Sequence, residues 1–577
     1  MTRRWLGVLC AACVWSAAYG CASRPGPAFT LSIVGTNDLH GGVTEVNGRG
    51  GLALLDGYLS NLRAARQKDG GAVLLLDAGD LYQGTLESNL NEGAAVTDAY
   101  NAIGYQAAAV GNHEFDYGPV GASAVPHAPG DDPRGALKAR LAQARFPFLA
   151  ANLVDTATGT PVSLPNVAPS VMLTINGVKV GIVGLLTEPA MSYTTAANVE
   201  GLVVTPLVKA LVDEATALRG RGASVVIALA HAGSKCGRVD DPLDISSCEP
   251  NAEIFEVARK VPAGLVDAIV AGHRHEPVAH EVHGIPIIQS YWRGRAFGRI
   301  DVVVDRLTGR VQSHHIFQPR DLCEQETPGA AGCALPGAAN ARRAEYEGQG
   351  VTASARIAAI LQPAVDTAAQ AKSRPLNATI TAPLEKSDFA QSPVGDLEAD
   401  WMRAMVPGAN VALVNSTGLR SDLDAGPFTY GRLYDLLPFD NQRVTIWLTG
   451  AQLRTVVAEN LKRSASMVVL SGVRAAATCE GGQLAVVLRS ESGRPVRDTD
   501  RLRVVTSDFL ATGGDLFLTP VMPVQIEATG DLLRDEIAAF LIRTGGRWGA
   551  ERRALPPRIT HSGPRPVSCA AMVASRP

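Results

Sequence analysis

The chain has 577 residues, of which 46% are hydrophobic and 19% are charged. This composition supplies enough apolar side chains for more than one buried core and excludes an intrinsically disordered chain. The 53 basic and 56 acidic side chains leave a net charge of −3, so no overall basic field would recruit a nucleic-acid polymer. At about 150 residues per domain, the length fits either two large domains or three to four smaller ones.

The N-terminus has the layout of a secretory signal, because two arginines precede an apolar run, Trp5–Ala18, and small residues follow. We predict a signal peptide over residues 1–21 and an exported protein, either periplasmic or anchored to a membrane. The sequence Ala-Tyr-Gly-Cys that ends at Cys21 resembles a bacterial lipobox and predicts a lipid anchor there; ordinary cleavage nearby is the alternative. The apolar run is shorter than the roughly 20 residues of a spanning helix. No later stretch is long enough, so we expect no transmembrane helix in the mature chain.

The nine cysteines divide into a leader set and three later pairs. Cys10, Cys13 and Cys21 belong to the predicted leader. An even number in an exported chain predicts structural disulfides, and no CxxC spacing indicates a zinc ribbon. The predicted pairs are Cys236–Cys248, Cys323–Cys333 and Cys479–Cys569.

Short apolar runs alternate with helical segments over residues 29–325. The runs are rich in Val, Ile, Leu and Ala, which is typical of strands buried on both faces. The predicted strands are Leu31–Gly35, Val73–Leu76, Ala107–Val110, Val225–Ala230 and Val266–Ala271, and helices are predicted at Leu52–Arg66 and Leu207–Leu218. Buried strands that alternate with helices favour a layered α/β domain.

A connecting region over residues 326–374 leads to a second domain over residues 375–560. The region opens as a Gly- and Ala-rich surface excursion, and helical periodicity follows at Thr352–Lys372. The second domain mixes strands and helices, which predicts an α+β fold. Its predicted strands are Val411–Val414, Val444–Leu448 and Leu502–Thr506, and its predicted helices are Val394–Met405 and Thr449–Leu461.

Polar residues follow each predicted strand of the first domain. Because ligands of layered α/β folds collect beyond the carboxyl ends of the strands, we expect these side chains to lie close together. Carboxylate, amide and imidazole groups are ligands for borderline divalent cations. The candidate residues are Asp38, His40, Asp80, Asn112, His113, His231, His273 and His275.

Each candidate has a simpler alternative when it is taken alone. Asp80 at the end of a strand fits a helix N-cap, and His231 after an apolar run fits a buried core histidine. Asp38 and His40 are two residues apart, so on an extended chain both side chains point to the same side. Because five of the 11 histidines follow buried strands, the whole set favours a metal site over the separate alternatives.

The order D-x-H, G-D, G-N-H-E, H and G-H-x-H is that of the metallophosphoesterase superfamily. N-D-L-H-G-G at 37–42, G-N-H-E-F-D-Y-G at 111–118 and G-H-R-H at 272–275 resemble its 5'-nucleotidase family, which includes bacterial UDP-sugar hydrolases. N-S-T-G-L-R at 415–420, L-P-F-D-N at 437–441 and D-F-L-A-T-G-G-D at 508–515 are similar to the C-terminal domain of that family. The resemblance covers about residues 30–555.

The resemblance implies an N-terminal β-sandwich metallophosphoesterase domain, a C-terminal α+β substrate domain and two divalent ions, drawn from Zn, Mn, Fe and Co. It assigns one ion to Asp38, His40, Asp80 and His275, and the other to Asp80, Asn112, His231 and His273. It implies that His113 is a catalytic residue that either stabilises the transition state or protonates the leaving oxygen, and that Asp116 orients it. The implied activity is removal of phosphate from nucleoside 5'-monophosphates, with UDP-sugars as a further substrate class.

The resemblance also implies a binding site for a small nucleotide in the second domain. Phe439 and Phe509 would sandwich the base, and Asp515 would contact a ribose hydroxyl. Asn415 and Arg420 would lie near the phosphate, and Asn441 would complete the substrate contacts.

Two departures from the family pattern leave alternatives open. Thr417 replaces a glycine, and Asp388 stands where relatives have an arginine that binds phosphate; Arg374 or Lys386 would have to compensate. A 2',3'-cyclic phosphodiesterase/3'-nucleotidase would tolerate a weaker phosphate clamp. A thiosulfohydrolase and a non-catalytic nucleoside-binding surface lipoprotein are more distant alternatives.

Overall fold

The computed structural model describes residues 28–569 except 122, 123, 127, 330, 331, 465 and 524. The predicted signal peptide, with Cys10, Cys13 and Cys21, lies outside the described residues. Within the described ranges, the apolar segments of the helices are too short or too polar to span a bilayer.

The first domain contains two large sheets that pack face to face. One has seven strands in the spatial order Val311–Asp321, Ala296–Asp305, Ala28–Thr36, Ala72–Asp77, Ala107–Ala109, Phe148–Leu149 and Val167–Ala168. The other has six, in the order Val278–Val282, Ile285–Gln289, Ala268–Ala271, Val225–His231, Val178–Leu186 and Ser170–Ile175. The central strands of each sheet are parallel, so their carboxyl ends lie at one edge.

The side chains of each strand point alternately to the space between the two sheets and to the outer helices. Successive side chains of a strand point to opposite faces. Leu31 and Ile33 of one sheet therefore meet Ile227 and Leu229 of the other in a shared core. Val34, whose side chain points to the opposite face of the same strand, packs instead against helices on the outer face. The predicted β-sandwich is confirmed, and the continuous apolar runs arise because each strand is covered on both faces.

Helices cover the outer faces of the two sheets, and a long helix joins the domains. Those of the first domain are Leu52–Asp69, Leu86–Asn89, Ala94–Ile103, Gly135–Gln143, Leu207–Gly220 and Glu253–Lys260. The connecting helix, Ala355–Ser373, starts three residues later than predicted because Ser354 caps it, accepting the Ile357 N–H. Three small sheets complete this part: Leu153–Asp155 with Leu202–Val204, Gln325–Glu326 with Arg342–Arg343, and Glu345–Tyr346 with Gln349–Gly350.

The second domain has the predicted mixture of sheets and helices. Its main sheet has the order Val468–Ser471, Val411–Asn415, Arg501–Ser507, Gln442–Thr449 and Ile526–Leu532. Two smaller sheets are Gly426–Thr429, Pro375–Ile380 and Gly546–Trp548, and Gln483–Ser490, Val473–Glu480 and Ile559–His561. The helices are Pro393–Met405, Tyr430–Leu436, Gly450–Leu461, Asp508–Ala511, Leu533–Thr544 and Ala550–Arg553.

Disulfides stabilise each domain, and polar contacts join the two domains. All three predicted disulfides, Cys236–Cys248, Cys323–Cys333 and Cys479–Cys569, are present. Between the domains, Gln83 Nε2 donates to the Pro438 carbonyl at 2.9 Å. Lys372 of the connecting helix pairs with Glu87 at 2.5 Å. The second domain therefore lies directly against the strand-end edge of the first.

Candidate metal centre

The carboxyl ends of the central strands bring all seven predicted ligands to one edge. Asp38 and His40 follow Ala28–Thr36, Asp80 follows Ala72–Asp77, and Asn112 follows Ala107–Ala109 in the first sheet. His231 ends Val225–His231, and His273 and His275 follow Ala268–Ala271 in the second sheet. Because the two sheets stack with these ends together, residues more than 200 positions apart become neighbours.

One group of ligands consists of Asp38, His40 and His275, whose ligand atoms all lie within 4.8 Å of one another. The Nε2 atoms of His40 and His275 face each other at 3.1 Å. Asp38 Oδ1 lies 3.4 Å from His275 Nε2. Two imidazole nitrogens and a carboxylate that converge in this way match the donor set of a borderline divalent cation.

A second group consists of Asp80, His231 and His273. His231 Nε2 lies 3.1 Å from Asp80 Oδ2 and 3.3 Å from His273 Nδ1. The amide oxygen of Asn112 is 3.1 Å from the same Nε2 atom and adds a neutral donor. This set fits a second cation.

Asp80 lies between the two groups. Its Oδ2 atom is 3.1 Å from His231 Nε2 and 3.8 Å from His40 Nε2. Its Oδ1 atom accepts the backbone N–H of His113 at 2.9 Å, which fixes the carboxylate plane. The position is the one required of a carboxylate that bridges two ions.

Hydrogen bonds behind the ligands set which nitrogen of each ring faces inward. His40 Nδ1–H donates to the Gln83 carbonyl, and His231 Nδ1–H donates to the Ala78 carbonyl, both at 2.8 Å. Each bond leaves Nε2 as the lone-pair donor toward the centre. The side chains present therefore fit a pair of metal ions.

Five of the ligands adopt left-handed backbone conformations. The φ angles are 51° at Asp38, 47° at His40, 60° at Asp80, 76° at His273 and 57° at His275. Non-glycine residues rarely adopt this conformation, and it costs about 1–3 kcal/mol at each position. The turns redirect the chain immediately after each strand, so that the side chains converge instead of following the strand direction.

The electrostatic environment favours the metal-binding forms of His40 and Asp80 but not that of His231. Burial would lower the pKa of His231, but the nearby Asp80 outweighs it and raises the pKa to about 10, so this ring must lose a proton before it binds an ion. Burial holds the pKa of His40 well below its usual value, so its ring is neutral. Burial alone would raise the pKa of Asp80, but the nearby His231 and His113 hold it well below the usual value. Asp80 is therefore ionised.

Glu114 supports the ligand loops, a role that the sequence analysis does not assign. Its carboxylate accepts the backbone N–H groups of Asp80 at 3.0 Å, Leu81 at 2.6 Å and Gly111 at 2.6 Å. These bonds tie the Asp80 turn to the Asn112 turn. Its place in the G-N-H-E motif is the sequence signal that could have identified it.

His113 and Asp116 form the predicted pair. His113 Nδ1–H donates to Asp116 Oδ2 at 2.6 Å. Burial lowers the pKa of His113, but the carboxylates of Asp116 and Asp80 outweigh it and raise the pKa to about 9. The ring is therefore an imidazolium whose Nε2–H remains available.

The second domain places Phe439 and Arg420 beside this pair. The Phe439 ring stacks on His113 with 5.8 Å between ring centres. The Arg420 guanidinium lies 4.9 Å from the centre of the Phe439 ring. An aromatic surface and a cation from the second domain thus reach the catalytic edge of the first.

The remaining predicted substrate residues lie close by, but their side chains mostly contact protein atoms. Asn415 Nδ2 donates to Asp515 Oδ2 at 2.8 Å, and Thr417 donates to the same oxygen at 3.0 Å. Asn441 lines a small cavity together with Asn415 and Phe439. Phe509 is half-buried against the core of the second domain. The structure gathers these residues on one face of the second domain.

The two residues considered as replacements for the missing arginine make other contacts. Lys386 Nζ pairs with Asp388 Oδ1 at 2.6 Å, so the lysine neutralises the carboxylate that stands in the arginine position. The Arg374 guanidinium lies 4.2 Å from the centre of the Tyr430 ring.

Comparison with known families matches both parts of the chain. Residues 31–277 match the family described as Calcineurin-like phosphoesterase. Residues 368–521 match the family described as 5'-nucleotidase, C-terminal domain. Together the two matches include every candidate ligand, catalytic residue and substrate residue named above.

Individual relatives extend over most of the chain. The 5'-nucleotidase of Vibrio cholerae is 26% identical over 546 residues, which are 88% of this chain and 90% of the relative. Endonuclease YhcR of Bacillus subtilis is 25% identical over 88% of this chain, which spans 40% of that protein's length. The structure of the 5'-nucleotidase precursor from Thermus thermophilus has a TM-score of 0.69 and 23% identity, and the match covers 92% of this chain and 99% of that one. This last similarity establishes a shared fold.

Proposed function

Because the chain belongs to the 5'-nucleotidase family of the metallophosphoesterase superfamily, a family of metal-dependent phosphoester hydrolases, we propose that it removes phosphate from nucleoside 5'-monophosphates. The observation that carries the proposal is the stack of Phe439 on His113. This contact brings an aromatic ring that could stack on a nucleobase next to the candidate dimetal centre. The similarity to the Vibrio cholerae 5'-nucleotidase over nearly the whole chain supports the same substrate class.

Within this proposal, Asp38, His40, Asp80 and His275 hold one divalent cation, and Asp80, Asn112, His231 and His273 hold the other. When bound, such a pair polarises the phosphoryl group and lowers the pKa of the attacking water. Asp80 fixes the separation of the two sites because its Oδ2 atom lies close to both His40 and His231.

His113 acts on the leaving group. Asp116 accepts its Nδ1–H at 2.6 Å, which orients the ring and stabilises its cationic form. The Nε2–H then donates a proton to the nucleoside oxygen as the P–O bond breaks. General acid catalysis of this kind contributes about 10²–10⁴-fold.

The second domain binds the nucleoside. Phe439 and Phe509 stack on the base, which is tolerant of base identity. Asp515 accepts a ribose hydroxyl, with Asn415 and Thr417 holding its carboxylate. Arg420 and Asn441 complete the contacts to the substrate.

The proposal extends to UDP-sugars, whose pyrophosphate presents the same phosphoryl chemistry, and to export, with Cys21 as a lipid anchor. Export would place the three disulfides in an oxidising compartment, where such bonds persist.

A substrate panel with the metal-loaded enzyme tests the proposal. AMP, UMP, 3'-AMP, 2',3'-cyclic AMP, UDP-glucose and a thiosulfate ester would be compared by kcat/KM. We expect AMP and UMP to exceed the cyclic nucleotide by about 10-fold or more. A preference for cyclic AMP would instead assign a cyclic phosphodiesterase/3'-nucleotidase. Binding of nucleosides without turnover of any ester would indicate a non-catalytic protein, and turnover of the thiosulfate ester alone would indicate a thiosulfohydrolase.

A further inference from the structure

Arg293 lies beside the candidate metal centre, on the loop between strands Ile285–Gln289 and Ala296–Asp305. Its backbone N–H donates to the Asp38 carbonyl at 2.8 Å. The neighbouring Trp292 ring is parallel to the His275 ring, with 5.0 Å between the ring centres. The Arg293 guanidinium lies 4.6 Å from the centre of the Trp292 ring. One aromatic ring therefore separates this cation from a candidate metal ligand.

The Arg293 guanidinium has no ion-pair partner among the described residues. Its Nε atom is buried without a hydrogen bond, and no carboxylate oxygen of the described ranges lies within 4 Å of its guanidinium. Burial lowers the pKa of Arg293, and the charges of Asp435 and Glu87 act on it only from a distance. Arg293 is half-buried, and a partly desolvated cation without a partner is unfavourable, so the arrangement is explained if an anion binds there.

Arg420 of the second domain is in the same situation. Its guanidinium lies over Phe439 and forms no ion pair or side-chain hydrogen bond within the described part of the chain. Burial lowers the pKa of Arg420. The charges of Asp388, Asp515 and Asp116 oppose this shift, whereas the charge of Arg293 adds to it. Two guanidinium groups that lack an ion-pair partner among the described residues therefore act on each other electrostatically. Arg293 lies over the Trp292 ring that stacks on His275, and Arg420 lies over the Phe439 ring that stacks on His113.

We propose that Arg293 is a substrate-binding residue that grips the phosphate of the substrate together with Arg420, one arginine from each domain. This inference rests on the proposed phosphohydrolase function. It also explains how the chain tolerates Asp388, whose charge is neutralised by Lys386. A guanidinium matches the planar fork that phosphate oxygens accept, so the pair suits a phosphoryl dianion held at the metal ions.

Inorganic phosphate is the probe for the test, since it needs no nucleoside site. Its dissociation constant would be measured by calorimetry on metal-loaded wild type, Arg293→Met, Arg420→Met and the double variant. We expect each single variant to bind phosphate about 10- to 100-fold more weakly, as for loss of a charged hydrogen bond. The double variant should lose less than the product of the two factors, because both arginines hold one anion.

Arg295→Met is the matched control. Arg295 lies on the same loop but is paired with Asp321 at 3.1 Å and stacked on Tyr291 at 3.8 Å. The Arg295→Met variant should bind phosphate with the affinity of the wild type. Arg293→Lys should recover part of the affinity, because the charge returns without the fork.

Metal content is measured on each variant by mass spectrometry. It distinguishes direct binding of phosphate by the two arginines (the clamp) from a weaker affinity that results from loss of metal. Unchanged phosphate affinity in Arg293→Met, a fully multiplicative double variant, or a loss that follows loss of metal would overturn the proposal. The outcome is distinct from that of the substrate panel: a protein that prefers cyclic nucleotides but loses phosphate affinity in Arg293→Met would disprove the nucleotidase assignment and keep the clamp.

Discussion

Two regions differ in how fully their polar side chains are bonded within the protein. One is the strand-end edge of the first domain that carries the candidate metal ligands (the metal edge), and the other is the face of the second domain that carries the candidate substrate residues (the substrate face). Asp38, His40, Asp80, Asn112 and His231 are each at most 5% exposed, and backbone groups fix their orientation. On the substrate face, within the described residues, the candidate polar side chains bond mainly to one another. Asn415, Thr417 and Asp515 form their own cluster, and the guanidinium of Arg420 has no ion-pair partner in the described ranges.

The difference follows from what each region does. Metal ligands must hold one geometry throughout catalysis, so burial and left-handed turns at the strand ends are an advantage. Substrate contacts are made and broken in every cycle, so these side chains stay half-buried. Changes at the metal edge should therefore affect all substrates, whereas changes on the substrate face should discriminate between them.

The largest effect is expected for Asp80→Ala, which removes the carboxylate shared by both ligand groups. Both ions should be weakened, and kcat/KM should fall by at least about 10³-fold for every phosphoester. Mass spectrometry for metal content and turnover of AMP check this. Two tightly held ions per chain in the variant would contradict bridging by Asp80.

His113→Ala should separate chemistry from metal binding within the metal edge. Its side chain makes its hydrogen bond to Asp116 and not to a candidate ligand, so the metal content should remain that of the wild type. We expect kcat to fall by about 10²–10⁴-fold. Single-turnover kinetics on the metal-loaded variant measure it, and unchanged turnover would exclude His113 as the proton carrier.

Phe439→Ala should act on the substrate face alone. Stacking contributes about 1–3 kcal/mol per base, so kcat/KM for AMP should fall by roughly 5- to 150-fold. A phosphomonoester without a ring, such as glycerol phosphate, serves as the control substrate and should be hydrolysed at nearly the wild-type rate. Equal losses for both substrates would show that Phe439 supports His113 and does not bind the base.

The smallest effect concerns Glu398, a buried acid of the second domain. Unlike Asp80, it has no compensating cation among the residues that the structure describes. Burial raises its pKa to about 8 from 4.5, and its Oε2 atom has no hydrogen bond. Arg534, which lines the same cavity, is paired with Asp440 at 2.5 Å. The folded protein therefore keeps the Glu398 proton in a pH range where the unfolded chain has released it.

Since the folded pKa is the higher one, Glu398 lowers stability progressively as pH rises from about 4.5 to 8. Glu398→Gln has no such proton, so its Tm should match that of the wild type near pH 4 and exceed it by a margin that grows up to pH 8, at roughly 2–4 °C for each kcal/mol. Thermal melts across this range measure the difference. The exposed Glu480→Gln is the control, and a pH-independent difference for Glu398→Gln would show that the acid is not buried as a neutral group.

Much of the first domain could be predicted because its strands have continuous apolar runs. The predicted strand Val225–Ala230 lies within Val225–His231, and Val266–Ala271 begins only two residues early. The edge strand Val311–Asp321 was not predicted, since a half-exposed strand carries a weaker apolar signal. The edge strand Val278–Val282 was not predicted either, although most of its residues are buried. The pairing of the strands into two sheets depends on contacts that no local pattern contains.

The sequence by itself determined the residue types, the order of the motifs and the strand ends on which the ligands lie, because burial and periodicity act over a few neighbouring residues. Only the tertiary structure decided that Asp80 lies between two ligand groups and that Glu114 ties their turns together. It also decided that the charge of Arg293 acts on Arg420 while neither has an ion-pair partner among the described residues. Those relations join residues 30 to 200 positions apart. They arise from the stacking of two sheets and the docking of a second domain, where long-range packing outweighs local preference.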